Sequence, residues 1–173
     1  QDEYKDIPEE ILRIFPNYPP MSWDNDAVDE VFEKNEYDLR FLHIGSLSMK
    51  GQYICEFLNV FGNNPAFKID LYSHSLPKDV EHILFKHKNC SYMGAIDYYD
   101  IPKLKGSYDV GLVLYKGLTN NFKYNAPNKL FEYWACGLDV WFSSDLITSH
   151  DYINSGVFPS VKSVDFKKLE EFN

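Results

Sequence analysis

Basic side chains are in the minority in this 173-residue sequence: 17 Lys and Arg stand against 26 Asp and Glu, a formal net charge of −9 at pH 7. That balance argues against a general nucleic-acid binder, whose electrostatic footprint would be basic. It also argues against a polybasic membrane patch. A small anionic ligand is still allowed, since a helix N-terminus and one lysine make a local positive site. Cysteine is sparse too. Cys55, Cys90 and Cys136 form no CxxC pair and their number is odd, so reduced thiols in a cytosolic protein are expected rather than a disulfide framework. No apolar run approaches the length of a membrane span. No signal peptide, P-loop, zinc spacing, Ser-His-Asp set, internal repeat or low-complexity tract is visible in these residues. The first residue is Gln rather than Met, from which a piece of a longer protein is expected.

Aromatic residues are abundant, with 13 Tyr and 13 Phe, and 45% of the chain is hydrophobic. One folded domain with a substantial core is expected, with some rings left over to line a groove or an interface. Residues 1–38 are acidic and punctuated by Pro16, Pro19 and Pro20, which forbid a continuous helix. They read as a linker or arm with a helical turn around Glu9 to Ile14. Residues 39–173 read as the domain proper. "LRFLHIGSL", "FKIDLYSH", "CSYMGAI", "YDVGLVLY", "LDVWFS" and "VFPSVKSV" are strand candidates. Between them "KGQYICEFLNVFGNN" places Ile54, Phe57, Leu58 and Phe61 at helical spacing, "LPKDVEHILFKHK" is helix-like, and "YDIPKLKGS" is a short helix or turn. "KGLTNNFKYNA" reads as a loop. Strands alternating with helices predict βαβ units and a doubly wound, parallel, Rossmann-like α/β sheet. In such sheets ligands bind at the carboxyl ends of the strands.

The stretch "YNAPNKLFEYWACGLDVWFS" carries the most chemistry. Asn125 can cap, Pro127 suits the first turn of a helix and Gly137 its C′ position. Leu130, Phe131, Trp134 and Ala135 form an apolar face. Asn128 and Lys129 then lie in the first turn, where unpaired N–H groups favour a phosphate. Glu132, one turn in, is a poor phosphate ligand and a good acceptor for sugar hydroxyls. Spacing alone fits a merely capped, solvated helix start equally well.

The same stretch resembles the "sPNKlfEYlAcGlPVi" signature of the nucleotide-sugar-binding half of GT-B glycosyltransferases of the retaining, family-4 type. Pro127, Asn128, Lys129, Leu130, Phe131, Glu132, Tyr133, Ala135, Cys136, Gly137, Leu138 and Val140 match. "FLHIGSLSMKG", "CSYMGAI", "YDVGLVLY" and "IFPNYPP" extend the likeness over most of the chain. The resemblance implies one half of a GT-B fold. It implies Glu132 on the ribose, and Asn128, Lys129 and Leu130 on the diphosphate. Lys50, with Gly45 and Ser46, would form the diphosphate loop, and Gly94 and Ala95 would hold the base. Ser46 stands where an Arg is common, with Lys116 or Lys123 as replacements for its charge. Tyr124 stands where a glutamate contacts the donor sugar, which leaves Tyr124, Asn120 and Asn121 as loose candidates for that contact. Asp139 replaces a proline before the next strand.

Among the other residues, His43 reads as a core histidine within the first strand, and His74 follows the second strand where it could touch a ligand. His82, His87 and His150 show no metal spacing. Asp97, Tyr98, Tyr99 and Asp100 form a polar-aromatic loop that fits a base pocket or an exposed turn. Asp70 reads as structural. The resemblance implies a donor-binding domain that takes a UDP-sugar, with an acceptor held by a missing N-terminal domain. It implies no metal or other cofactor, no nucleic acid and no intrinsic membrane segment. A cytoplasmic location, at the inner membrane face in the full-length protein, and a role in surface-glycan assembly follow from family habit. The isolated domain would turn over little. Ser46 and Tyr124 favour the alternative, a non-catalytic nucleotide-binding or assembly module.

Overall fold

A computed structural model describes residues 17–25, 37–154 and 156–169. Most of the 1–38 arm, including the predicted turn at Glu9 to Ile14, lies outside the described residues. Six strands form one sheet: β1 (Leu39–Ile44), β2 (Phe67–Tyr72), β3 (Cys90–Gly94), β4 (Val110–Val113), β5 (Asp139–Ser143) and β6 (Val161–Val164). Every pair is parallel and the order is β3-β2-β1-β4-β5-β6. The six strand candidates are therefore all present, in the doubly wound arrangement expected.

The central strands are apolar throughout because both faces are covered. Phe41, Ile69, Leu71 and Leu112 pack under α1 (Ile54–Phe61) and α2 (Lys78–Leu84). Leu42, Ile44, Val113, Val140 and Phe142 pack on the other face, with α4 (Asn128–Ala135) and the 3-10 turn Tyr98–Leu104. The helical spacing of Ile54, Phe57, Leu58 and Phe61 is borne out, since all four are buried. The segment expected to be loop around Asn120 contains one helical turn, α3 (Asn120–Lys123), because the Thr119 side chain accepts from the Phe122 amide. The three cysteines are free. Burial pushes the Cys90 thiol up to about 12 and that of Cys136 to about 11, so neither is a reactive thiolate.

α4 departs from expectation at two points. Its N-cap is Pro127, not Asn125; ψ of 144° holds Pro127 outside the helix, and no side chain caps it. Tyr133, not Trp134, joins Phe131 as a buried aromatic ring: Tyr133 is fully buried and Trp134 is 37% exposed. The reason lies in β4. A Cβ at Gly111 would stand 2.2 Å from Cγ of Tyr133, so only glycine leaves room for that ring. The Tyr133 hydroxyl then accepts from the Ile44 amide at 2.7 Å, fixing α4 against the end of β1. At its other end α4 closes as expected through Gly137, whose φ is +75°. The Gly137 and Leu138 amides donate to the Trp134 and Tyr133 carbonyls at 3.0 Å, the Schellman pattern.

Two residues of the arm pack on the α4 face. Trp23 is 3% exposed, and the Tyr18 ring meets Phe131 edge-on at 4.8 Å.

Candidate functional site

The strand order reverses between β1 and β4, and α1 and α4 leave these strands toward opposite faces. Their carboxyl ends form the topological switch point where α/β sheets bind ligands. The loop after β1 bridges this point. Gln52 pairs with Tyr115 beyond β4, Tyr53 donates its amide to the Leu114 carbonyl at 2.8 Å, and Lys116 donates to Gly51 at 2.8 Å. Buried Gln52 holds the loop from within: its Oε1 accepts from the Ser48 amide at 3.1 Å and its Nε2 donates to the Ser46 carbonyl at 2.8 Å. Gln52 escaped the sequence reading, since a lone glutamine ahead of a helix carries no pattern. Gly45 takes φ +147° at the turn out of β1, and Ser46 and Lys50 are exposed on the loop.

On the α4 side, Glu132 is 3% exposed and takes an ion pair from Lys129, one turn earlier. Lys129 therefore holds the carboxylate rather than reaching outward. The Leu130 amide donates to the Pro127 carbonyl at 2.9 Å. Among the described residues nothing engages the amides of Asn128 and Lys129. Of the three candidate diphosphate amides, those two stand ready for an anion. Burial, and then the charge of Glu132, raises the Tyr115 and Tyr98 hydroxyls above the ordinary phenol range. His43 is buried as expected, with Nδ1 3.2 Å from the Leu112 carbonyl and Nε2 without a partner. Burial lowers its pKa, opposed by the Leu112 and Ser46 carbonyls and reinforced by Lys129; the ring is neutral at pH 7.

The remaining candidates lie further out. Gly94 ends β3 and Ala95 follows it, two strands from β1. Asp97 serves as the N-cap of the 3-10 turn, accepting from the Tyr99 amide at 2.9 Å, and the Tyr98 ring meets Trp23 at a tilt, with centroids 5.0 Å apart. Tyr99 is 77% exposed. Tyr124 is exposed at the end of α3. His74 is exposed beyond β2. Asp70 is structural, accepting from the Tyr108 hydroxyl at 2.9 Å. Among the described residues no cluster of three or more His, Cys, Asp or Glu could hold a metal ion, and no helix is long and apolar enough to cross a membrane.

On the α1 side of the bridge an open cleft of about 640 Å³ lies over the ends of β4 and β5, lined among others by Tyr53, Glu56, Lys116, Lys123, Asp145 and Lys167. The Tyr53 hydroxyl donates to Asp145 at 2.5 Å, and Lys167 pairs with Asp145 at 3.0 Å. Burial would push the Asp145 carboxyl up, but Tyr53 and Lys167 outweigh it and hold it below the usual range. Lys116 pairs with Glu56 at 2.9 Å and also reaches the Met49 carbonyl at 3.3 Å. Tyr53, Glu56, Asp145 and Lys167 were missed in the sequence. Only the position of Asp145, just past a strand's carboxyl end, could have marked one of them.

No family model and no curated protein matches this sequence. Solved structures do match its fold. The lipopolysaccharide outer core galactosyltransferase WaaB, in its apo form, superposes with a TM-score of 0.58 at 12% identity, covering 81% of this chain and 39% of that one. HepE of Anabaena in complex with UDP and glucose gives 0.56 at 17% identity, covering 78% and 37%. HepE with UDP-glucose gives 0.54 at 15% identity, covering 78% and 37%. The likeness is one of fold, that of one half of a GT-B glycosyltransferase, and this chain spans under two-fifths of the length of those structures.

Proposed function

We propose that this chain is the donor-binding part of a glycosyltransferase that takes its sugar from a UDP-sugar. The observation that carries the reading is Glu132, a buried carboxylate at the switch point, held by Lys129 beside a helix start whose first amides are unengaged. The common fold with a structure that contains UDP supports it. In this reading Glu132 accepts from the ribose hydroxyls through the carboxylate edge that Lys129 leaves open. The Asn128 and Lys129 amides, the Gly45–Ser46 loop and Lys50 hold the diphosphate, and Gly94, Ala95 and Tyr98 flank the base. Catalysis is electrostatic: the dipole of α4 and the lysine charge stabilise the departing diphosphate, with no metal. Acceptor groups come from an N-terminal half, the outcome is retaining, and the chain alone turns over little. Surface-glycan assembly at the cytoplasmic membrane face is the setting the reading favours.

Titration of UDP, GDP and ADP by calorimetry tests this. UDP is expected to bind, and Glu132→Ala to weaken it by about 1–3 kcal/mol, the cost of losing a buried hydrogen-bond acceptor. Failure of all three nucleotides at millimolar concentration would sink the proposal. A second reading, a non-catalytic binding module, is favoured by the neutral, exposed Ser46 and by a tyrosine, not a carboxylate, at position 124. UDP affinity without sugar transfer in the full-length protein would select it.

A further inference from the structure

One buried polar atom at the switch point has no part in the contacts proposed for the nucleotide. His43 is 2% exposed near the carboxyl end of β1, and its Nε2 has no hydrogen-bond partner. Its Nδ1 lies 3.2 Å from the Leu112 carbonyl. A carbonyl only accepts, so the proton of the neutral ring sits on Nδ1 and Nε2 presents a bare lone pair. Buried polar atoms ordinarily have partners.

The position of that atom is informative. Nε2 lies 4.0 Å from where a Cβ at Gly45 would stand, and the Tyr115 hydroxyl lies 3.7 Å from the same point. Gly45 carries no side chain, so the ring stands against the backbone of the loop proposed to hold the diphosphate. That loop brings little charge of its own: Gly45, Ser46, Leu47, Ser48 and Met49 are neutral, and Lys50 is its first cation. The groups around the ring divide. Burial, and with it Lys129 of α4, itself paired with Glu132, opposes a protonated ring, whereas the Leu112 carbonyl of β4 and the Ser46 carbonyl of the loop favour one. The Tyr115 phenol beyond β4 is neutral at pH 7, since burial raises it, and the register partner on β2 is the apolar Leu71. The ring thus has a carbonyl to favour a second N–H and lacks an unpaired negative charge nearby. A diphosphate at Gly45 would be that charge. It acts across the low-dielectric interior and needs no contact with Nε2.

We propose that His43 takes up a proton when the donor's diphosphate binds at the loop after β1, and so becomes the buried counter-charge of that group. The proton comes from solvent and bonds to the Nε2 lone pair. Nδ1–H stays on the Leu112 carbonyl, and the new N–H donates to the Ser46 carbonyl. When the nucleotide leaves, the proton returns to solvent. The inference rests on the donor-binding reading above and adds to it a positioning residue with a pH dependence. Nucleotide binding tightens as pH falls through the range in which the free ring is neutral and the bound ring is charged.

The test is calorimetry of this chain with UDP in buffers of differing ionisation enthalpy, which counts the protons taken up on binding. The scan runs from about pH 5.5 to about pH 7.5, where imidazole titrates. At its maximum the uptake by His43 should be about half a proton per UDP, which a one-unit rise in pKa gives. Phosphate groups titrate in the same range, so the reading is the difference between the wild-type chain and His43→Gln, which should lack this uptake. Nitrogen NMR of the wild-type imidazoles gives a second reading that needs no variant to fold. Nε2 of His43 should pass from the bare to the protonated form as UDP is added. The same uptake in His43→Gln, or a His43 Nε2 that stays bare with UDP bound, overturns the inference and leaves the donor reading standing. If UDP does not bind, both proposals fall.

Discussion

Two lysine–carboxylate pairs flank the switch point, and they differ in almost everything but composition. On the α4 side, Lys129 and Glu132 have side chains 21% and 5% exposed. In the cleft, Lys167 and Asp145 are 60% and 26% exposed. Water screens the second pair and hardly reaches the carboxylate of the first. The buried pair is a fixed part of the fold, set by Gly111, Tyr133 and the turn at Pro127. The switch point is therefore held by a buried pair on one side and flanked by a solvent-screened pair on the other.

Removing the lysine from each pair sharpens that contrast. Lys129→Met strands a buried carboxylate and should destabilise the protein by about 3 kcal/mol, read by urea unfolding. A loss below about 1 kcal/mol would show that Glu132 is not held as the geometry indicates. Gly111→Ala comes next. Its methyl would meet the Tyr133 ring, and overpacking of this kind costs about 1–3 kcal/mol. UDP binding should fall with it if α4 shifts, and a wild-type melting temperature would break the link between β4 packing and the placement of Glu132.

The buried histidines give a further, pH-dependent difference between the regions. Burial lowers the pKa of His43 and of His87 from the ordinary 6.5. The unfolded chain then binds more protons, so the stability these rings contribute is complete above pH 6.5 and is lost as pH falls through their lower folded values. Stability measured from pH 7.5 downward should decline, and His43→Gln should flatten the slope. An unchanged slope would exclude His43 as a contributor. The smallest effect is expected for Lys167→Met in the cleft, under about 1 kcal/mol, because that pair is solvent-screened. A larger loss would show that the cleft is as rigid as the α4 side.

Much of this was legible from residue order. The alternation of apolar strands with helical spacing, as at Ile54, Phe57, Leu58 and Phe61, specifies a parallel sheet covered on both faces, because only such a sheet buries near-continuous strands. The "PNKLFEYWACG" segment announced a helix ended by Gly137, since the left-handed conformation there is local and favours glycine. The site was legible only in part. Glu132 stood out within its motif, but nothing local could show that Lys129 would turn back onto it, or that Pro127 rather than Asn125 would precede the first turn.

Which aromatic of "EYWAC" faces the sheet was beyond the sequence, because the choice depends on a space at Gly111, 22 positions earlier. Hydrophobicity alone favours tryptophan; shape and the Ile44 amide favour Tyr133. The cleft was equally invisible. Tyr53, Glu56, Lys116, Asp145 and Lys167 are scattered over more than a hundred positions, and they meet only because parallel strands bring successive carboxyl ends to one edge. Sequence periodicity by itself determined the layers and their order of appearance, being a local property of the chain. Tertiary structure alone decided which charges are buried and which are screened, since those depend on neighbours distant along the chain.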